Sequence, residues 1–438
     1  MFFCVIIEIK ILTLPLLCTV EEIGWRGDEI SFKYKNKNIV KKIKTRKSMR
    51  KFLLLGIILS AATLLSAQTK EDVIYNPIIT GVPSLSISPD AVGGAMGDVG
   101  VASKPTLASQ FWNSSKYAMM DSKGGLTLSY TPWLRKIVND VDLVYLAGYY
   151  NISEQFGTLS ASLRYFSLGN ITLRDYNGLN LGDAKPYEMS FDLGYSRRLA
   201  EYFSMGVALR FVASELNAKT EGYYTGIGFA ADVNGYYSRP IEVSSGTSRL
   251  GLGFNISNIG SKISYNKGVS SNFMPTNLGI GASYLFPFDA YNRIALNVDL
   301  NKLMVPSRRS KYATGFNQSD PATWAMSDKQ YSEISVVKGI FTSFSDAPGG
   351  FSEELKEISV STGLEYAYNE QFFVRAGYHG EHIEKGNRQF FSAGAGFKWT
   401  AFTLDVGYLI GVSQNNPLDQ TLRFTLSFDM DGLKDLMD

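Results

Sequence analysis

From Leu126 to Phe428 the chain repeats one unit, a run of about ten residues in which apolar side chains alternate with small or polar ones, closed by a turn. Leu126-Leu128-Tyr130, Phe203-Met205-Val207-Leu209-Phe211, Ile358-Val360-Thr362-Leu364-Tyr366-Tyr368 and Leu422-Phe424-Leu426-Phe428 are such runs. Thr127 and Ser129, Ser204, Gly206, Ala208 and Arg210, Ser359, Ser361, Gly363 and Glu365, and Arg423, Thr425 and Ser427 lie between them. Successive side chains on a strand point to opposite faces, so each run has one apolar and one wet face. A soluble sandwich shares that alternation. Strand length, an export signal and connections that alternate short and long predict a transmembrane β-barrel instead.

Fourteen strands are predicted, over 125–135, 141–151, 156–168, 187–198, 202–216, 222–238, 249–258, 276–286, 291–303, 355–368, 371–381, 389–399, 402–412 and 421–429. A tilted strand of ~9–11 residues crosses a bilayer. The turns after the second, fourth, eighth, tenth and twelfth strands are tight, as at Asn369-Glu370 and Thr400-Ala401. Those after the third, seventh, ninth, eleventh and thirteenth are mostly longer, the largest being 304–355. The connection around 240–249, after the sixth strand, is longer than this rule expects, and the loops after the first and fifth are shorter. In lipid every backbone N–H and C=O needs an internal partner, and an open sheet with one greasy face aggregates. A closed, antiparallel all-β barrel over 125–429 meets both demands. Residues 430–438 are expected as a short periplasmic tail, with Gly432-Leu433-Lys434-Asp435-Leu436-Met437 suited to one helical turn.

The start of the chain reads differently. Met49-Arg50-Lys51, the apolar run 52–65 and Ser66-Ala67 before Gln68 form a signal peptide over 49–67. Residues 1–48 are expected to be an upstream extension from a mis-assigned start, with an unusually long n-region as the alternative. Residues 1–50 hold eleven basic and five acidic side chains, so the rest carries −4 although the whole chain is +2. The basic balance therefore belongs to the leader and gives no case for a nucleic-acid partner. Cys4 and Cys18 both precede the signal, which leaves the mature chain without thiol or disulfide chemistry. Residues 68–124 are rich in Gly, Ala, Ser and Pro and do not alternate. They read as a hatch-like segment within or beneath the barrel, or as a linker.

The 438 residues include 41 Gly, 25 Tyr and 27 Phe, which suits strands, turns and aromatic girdles rather than helices. Trp133, Tyr149, Tyr195, Tyr284, Trp399 and Tyr408 are expected at the membrane interfaces. A mean hydropathy of −0.05 excludes a helical membrane bundle. No constellation of catalytic residues, cofactor motif or metal set emerges, so no enzyme activity is expected. The only histidines, His379 and His382, read as part of a solvated loop more readily than as ligands. Gly226-Ile227-Gly228 lies in a strand pattern, where glycine relieves crowding. Asp192, Arg210, Asp232, Glu365, Arg375, Lys398, Asp405 and Arg423 fall on the polar face and point inward, as salt bridges or as an ion path. The long loop offers Trp324, Tyr331, Ile340, Phe341, Phe344 and Phe351. Trp324, Tyr331, Phe341, Phe344 and Phe351 are the candidate partner contacts, unless the loop folds over the barrel mouth and buries them.

One segment carries more specific information. It runs from Pro83-Ser84-Leu85-Ser86-Ile87-Ser88-Pro89-Asp90-Ala91 through Gly93-Gly94-Ala95-Met96-Gly97-Asp98-Val99-Gly100-Val101-Ala102 to Gln110-Phe111-Trp112-Asn113-Ser114-Ser115-Lys116-Tyr117-Ala118. It resembles the PorV family, also called LptO, the outer-membrane barrels of the type IX secretion system of Bacteroidetes. The resemblance extends from about Tyr75 to Phe428. Gly93, Gly94, Ala95, Met96, Gly97, Asp98, Trp112 and Asn113 form its motif here. Ser114-Ser115 departs from the Pro-Ala common in barrels similar to the fatty-acid transporter FadL.

The resemblance implies a 14-stranded FadL-like barrel in a Gram-negative outer membrane, with extracellular loops and both termini periplasmic. It implies a shuttle that takes secreted cargo by its C-terminal sorting domain from the type IX translocon barrel. Delivery is to a surface attachment complex that includes a sortase-like protease. Outer-membrane lipid would surround it. The rival expectation is a FadL-like transporter of fatty acids or other hydrophobic small molecules. A transporter needs a continuous apolar path, whereas a shuttle needs a plugged lumen and an exposed loop surface.

Overall fold

A computed structural model describes residues 20–26, 29–34, 40–44, 77–135, 138–174, 177–216, 222–268, 270–307, 328–347, 349–412 and 419–432. The expected signal peptide at 49–67, both cysteines, Trp324 and the tail beyond 432 lie outside the described residues. Met1–Asp72 and Val73–Asp438 are separate units. The first contributes a three-stranded antiparallel sheet, Val20–Arg26, Glu29–Tyr34 and Val40–Lys44.

The second unit is a closed barrel. Its fourteen strands are β1 (Gly124–Pro132), β2 (Val141–Ser153), β3 (Gly157–Leu168), β4 (Tyr187–Ala200), β5 (Phe203–Glu215), β6 (Gly226–Val243) and β7 (Gly246–Gly260). They continue with β8 (Asn277–Pro287), β9 (Asn292–Leu303), β10 (Ile358–Tyr368), β11 (Phe372–Gly380), β12 (Gln389–Trp399), β13 (Phe402–Gly411) and β14 (Leu422–Asp429). Each pairs antiparallel with its neighbours in sequence, and β14 closes on β1 through Leu426↔Leu128 and Phe428↔Leu126. Closure leaves the wall without a free edge, as a lipid environment demands. Among the described residues no helix is long and apolar enough to cross a membrane; the strands do so.

All fourteen predicted strands are present, with one change of boundary that matters. β6 and β7 run on through the stretch expected as a loop, and their turn is only 244–245. Pro240 suggested a break. Ser238 donates its N–H toward the β5 side, to the Tyr202 carbonyl at 2.8 Å. Position 240 faces that same side, beyond the start of β5, where a missing N–H leaves no ladder bond unmade. The connections then alternate cleanly. One rim carries the tight turns 154–156, 201–202, 244–245, 288–291, 369–371 and 400–401. The other carries the loops 133–140, 169–186, 216–225, 261–276, 304–357, 381–388 and 412–421. These are the turn rim and the loop rim. The 169–186 loop holds its own hairpin, Ile171–Arg174 with Asn180–Ala184.

The outer face is apolar: Leu126, Leu128, Val207, Leu209, Phe229, Ile280, Leu404 and Ile410 are exposed. The inner face is polar and buried, as at Ser129, Ser162, Ser204 and Thr425. Two expected girdle aromatics are corrected by this parity. Trp133 packs with Val141, Leu143 and Phe166, and Tyr149 stacks on Tyr117 at 4.8 Å. Both lie inside, because their register places them on the lumen side of outward-facing Tyr130 and Tyr150. Tyr195, Trp399 and Tyr408 do face outward.

Candidate functional site: a plugged lumen beneath an apolar loop cap

Residues 77–123 thread the lumen from rim to rim. At the loop rim, Ile78 packs against Phe273, Val305 and Tyr331, and Gly81 N–H donates to the Phe273 carbonyl at 2.8 Å. Glu188 accepts from Ser84 N–H at 3.0 Å, and Arg164 donates to the Ser84 and Ile87 carbonyls while lying over the Phe111 ring. The segment then forms helices α1 (Ala91–Ala95) and α2 (Ser109–Trp112). It reaches the turn rim at Lys104, which pairs with Glu370 at 2.5 Å, and at Lys123, whose N–H meets the Asp431 carboxylate.

The family-motif residues are the locks of this plug. Asp90 caps α1 by accepting from Gly93 N–H at 2.9 Å, and its other oxygen accepts from Trp112 Nε1 at 2.6 Å. A Cβ on Gly93 would strike the indole, and one on Gly94 would strike Arg423. Ala95 is fully buried, with the backbone of Gly394 and Gly407 against it. Met96 fills the space left by Gly363 and Gly377 in the wall. Gly97 has φ of +74° and lies on the Tyr378 backbone, so both its conformation and its contact require glycine. Its N–H donates to Ser392 Oγ at 2.8 Å, and Arg423 holds Asp98 at 2.8 Å. The Asn113 carboxamide donates to the carbonyls of Val101 (2.9 Å) and Gly235 (3.0 Å), tying plug to wall. Ser114 and Ser115, the departure from Pro-Ala, are both used. Ser114 Oγ and Ser115 N–H donate to Asn234 Oδ1, and Ser115 Oγ donates to Asn113 Oδ1.

Seven of the eight inward charged positions are tied into ion pairs. Arg210 joins Asp192 (2.6 Å) to Asp232 (2.9 Å), and Arg375 joins Glu365 (2.6 Å) to Asp405 (2.7 Å). With Arg423 held by Asp98, these are structural pairings and not an open ion path. Lys398 is exposed, lining a cavity at the turn rim. That cavity, about 680 Å³, is also lined by Lys104, Asp121, Arg293, Glu370 and Asp429. A second, about 160 Å³, touches Asp98, Arg210, Asn255, His379 and Arg388. Gly226 and Gly228 make room for Ile263 and Met274 of the 261–276 loop. His379 is not in a solvated loop. It ends β11 on the inner face, 4% exposed, bonded to Ser361 at 2.9 Å and stacked on Phe390. Only His382 lies in the loop. There burial opposes ionisation of Glu381, but the Arg388 guanidinium prevails and holds its carboxyl down at about 2.

Above the plug, the 304–357 loop folds into short helices α3 (Asp328–Glu333), α4 (Val336–Thr342) and α5 (Phe351–Lys356). Ser335 caps α4 by accepting from Lys338 N–H at 3.3 Å. The candidate contacts divide. Tyr331 is 1% exposed, edge-on to Phe273 at 5.2 Å, so it is an anchor of the cap and not a contact surface. Phe341 and Phe351 are 73% and 76% exposed, and Phe344 is exposed. The sequence reading missed Val337 and Leu355, also exposed. Val337 with Phe341, and Phe351 with Leu355, are i, i+4 pairs on one helix face each. That spacing was the available signal. Also missed was the ion network beneath. Lys302 bridges Glu354 (2.9 Å) and Glu357 (2.6 Å), and Lys385 bridges Glu353 and Glu357. Burial pushes the nearby Asp346 carboxyl up to about 7; Ser307 N–H opposes the rise, and Glu354 and Glu357 add to it.

A closed fourteen-stranded barrel with an apolar belt, a polar wall and an internal plug defines an outer-membrane barrel of the transmembrane type. The family profile "Type IX secretion system protein PorV" matches residues 68–310, more than half the chain. The chain belongs to the PorV family. That family is one of type IX secretion components. No curated protein matches. Similar solved structures include the Pseudomonas putida toluene transporter TodX, at 10% identity and TM-score 0.44 over 82% of this chain and 99% of that one. The Ralstonia pickettii toluene transporter TbuX gives 10% and 0.42 over 77% and 97%. A Pseudomonas aeruginosa FadL homologue gives 10% and 0.38 over 81% and 99%.

Proposed function

We propose that this barrel is the shuttle of its secretion system. It receives cargo by a C-terminal sorting domain from the translocon barrel and hands it to the surface attachment complex with its sortase-like protease. The loop rim faces the cell exterior. The observation that carries the reading is the contrast at that rim: a lumen filled by a locked plug, under a cap that exposes Val337, Phe341, Phe344, Phe351 and Leu355. Exposed aromatics on a braced platform are the usual anchors of protein recognition. Transport of hydrophobic small molecules is less well supported, because both cavities bring charged side chains to their walls.

Affinity capture of the barrel from its native membrane tests this. Secreted proteins sharing one C-terminal domain are expected with the parent barrel and are expected to be lost with Phe341→Asp/Phe351→Asp, while the variant barrel stays folded. No such recovery from the parent, together with loss of lipid uptake on deletion, would favour the transporter, and equal recovery from both would place the contact away from Phe341 and Phe351.

A further inference from the structure

We infer that the plug enters the lumen at the loop rim, on the side of the membrane opposite the end of β14, so that Ile78 and Ile79 lie on the face that carries the apolar cap. The barrel proper begins and ends at the turn rim, where Gly125, at the start of β1, pairs with Asp429, at the end of β14. That arrangement is what made two periplasmic termini the natural expectation. The plug itself begins at the other rim. Followed backward from Gly124, the chain passes Tyr117, stacked on Tyr149, and then Lys104 on Glu370, both near the turn rim. It crosses the middle of the lumen at Gly100 and Val101, whose N–H groups donate to Asp299 at 2.7 and 2.8 Å. It ends among loop-rim groups: Ser84 on Glu188 and Arg164, Gly81 on Phe273, and Ile78 beneath Tyr331 and Val336 of the cap.

The net passage from Pro77 to Gly124 is one crossing, with α2 turning back to lay Trp112 against Asp90 and Gly93 before the chain returns to the turn rim. The same contacts join the first plug residues to the cap: Ile78 shares one apolar cluster with Phe273, Val305 and Tyr331.

The inference needs only that the barrel spans a membrane, not that it handles secreted cargo. Single cysteines test it, since the only native cysteines, Cys4 and Cys18, precede the expected cleavage point. Ile79 is 62% exposed, so Ile79→Cys is accessible without unfolding. Phe341→Cys marks the loop rim and Glu154→Cys the turn rim. With a membrane-impermeant maleimide on intact cells, Ile79→Cys is expected to label together with Phe341→Cys, and Glu154→Cys only after the cells are opened. Labelling of Ile79→Cys with Glu154→Cys would overturn the inference, whichever rim proves to face outward. A protease site inserted before Pro77 gives a second readout. Cleavage from the side that labels Phe341→Cys supports the inference, and cleavage only from the other side refutes it. Reversal of Phe341 and Glu154 together would instead remove the extracellular assignment of the loops.

Discussion

The plug and the loop cap use similar residues to opposite ends. In the plug, Trp112 is wedged between Gly93 and Gly100, and the polar groups reach across to the strands: Asn113 to Gly235, Asp98 to Arg423, Gly97 to Ser392. In the cap, the polar groups turn inward as the Lys302–Glu354–Glu357–Lys385 network, and the aromatics Phe341 and Phe351 are left in the open. A segment whose aromatic ring is packed and whose polar groups are tied to the wall at several points is a fixed part. A segment that satisfies only its charges, and leaves apolar i, i+4 pairs uncovered, is built to be completed by something else. The lesson is that counting aromatics does not find a contact surface. Which groups remain unsatisfied after folding does.

The comparison can be broken first at the wall that holds the plug. Arg210→Ala strands Asp192 and Asp232 as buried carboxylates without their cation, and removal of one partner from a buried ion pair costs about 3–5 kcal/mol. A lowered urea midpoint for barrel unfolding in lipid vesicles measures it. Next comes the plug seat. Gly377→Val drives a side chain into the Met96–Gly97 backbone, and overpacking of that kind costs about 1–3 kcal/mol. Increased hydrogen exchange confined to 91–118 distinguishes a displaced plug from a damaged wall.

The cap should respond to pH. Asp346 has its carboxyl raised in the folded state to about 7. An acid raised on folding contributes stability below its unfolded pKa. That contribution is lost as pH rises from the ordinary carboxylate range, about 4, through 7. Exchange protection of 328–347 is therefore expected to fall between pH 4 and 7, and Asp346→Asn is expected to flatten that slope. The smallest stability effect belongs to the surface itself. Phe341→Asp/Phe351→Asp should leave the unfolding midpoint within about 0.5 kcal/mol of the parent, since neither ring is packed. A large destabilisation there would show that the cap aromatics are structural after all.

The alternation of apolar and small residues, taken with strand length, the export signal and connections that alternate short and long, was enough to determine a fourteen-stranded antiparallel barrel, because a period of two commits every second side chain to one face. The inward placement of Asp192, Arg210, Asp232, Glu365, Arg375, Asp405 and Arg423 followed from the same parity. The run Gly93-Gly94-Ala95-Met96-Gly97 was visible as unusual, but its reason was not. Each glycine answers a partner far away along the chain, Gly97 at Tyr378 and Gly94 at Arg423, and no local rule encodes that approach. Likewise Trp133 and Tyr149 looked like girdle residues until register put them inside, Tyr331 looked like a contact until Phe273 covered it, and His379 looked like a loop residue until β11 carried it into the lumen. Tertiary structure alone decided these, because burial and pairing are properties of what folding brings together, and a one-residue choice of face reverses them.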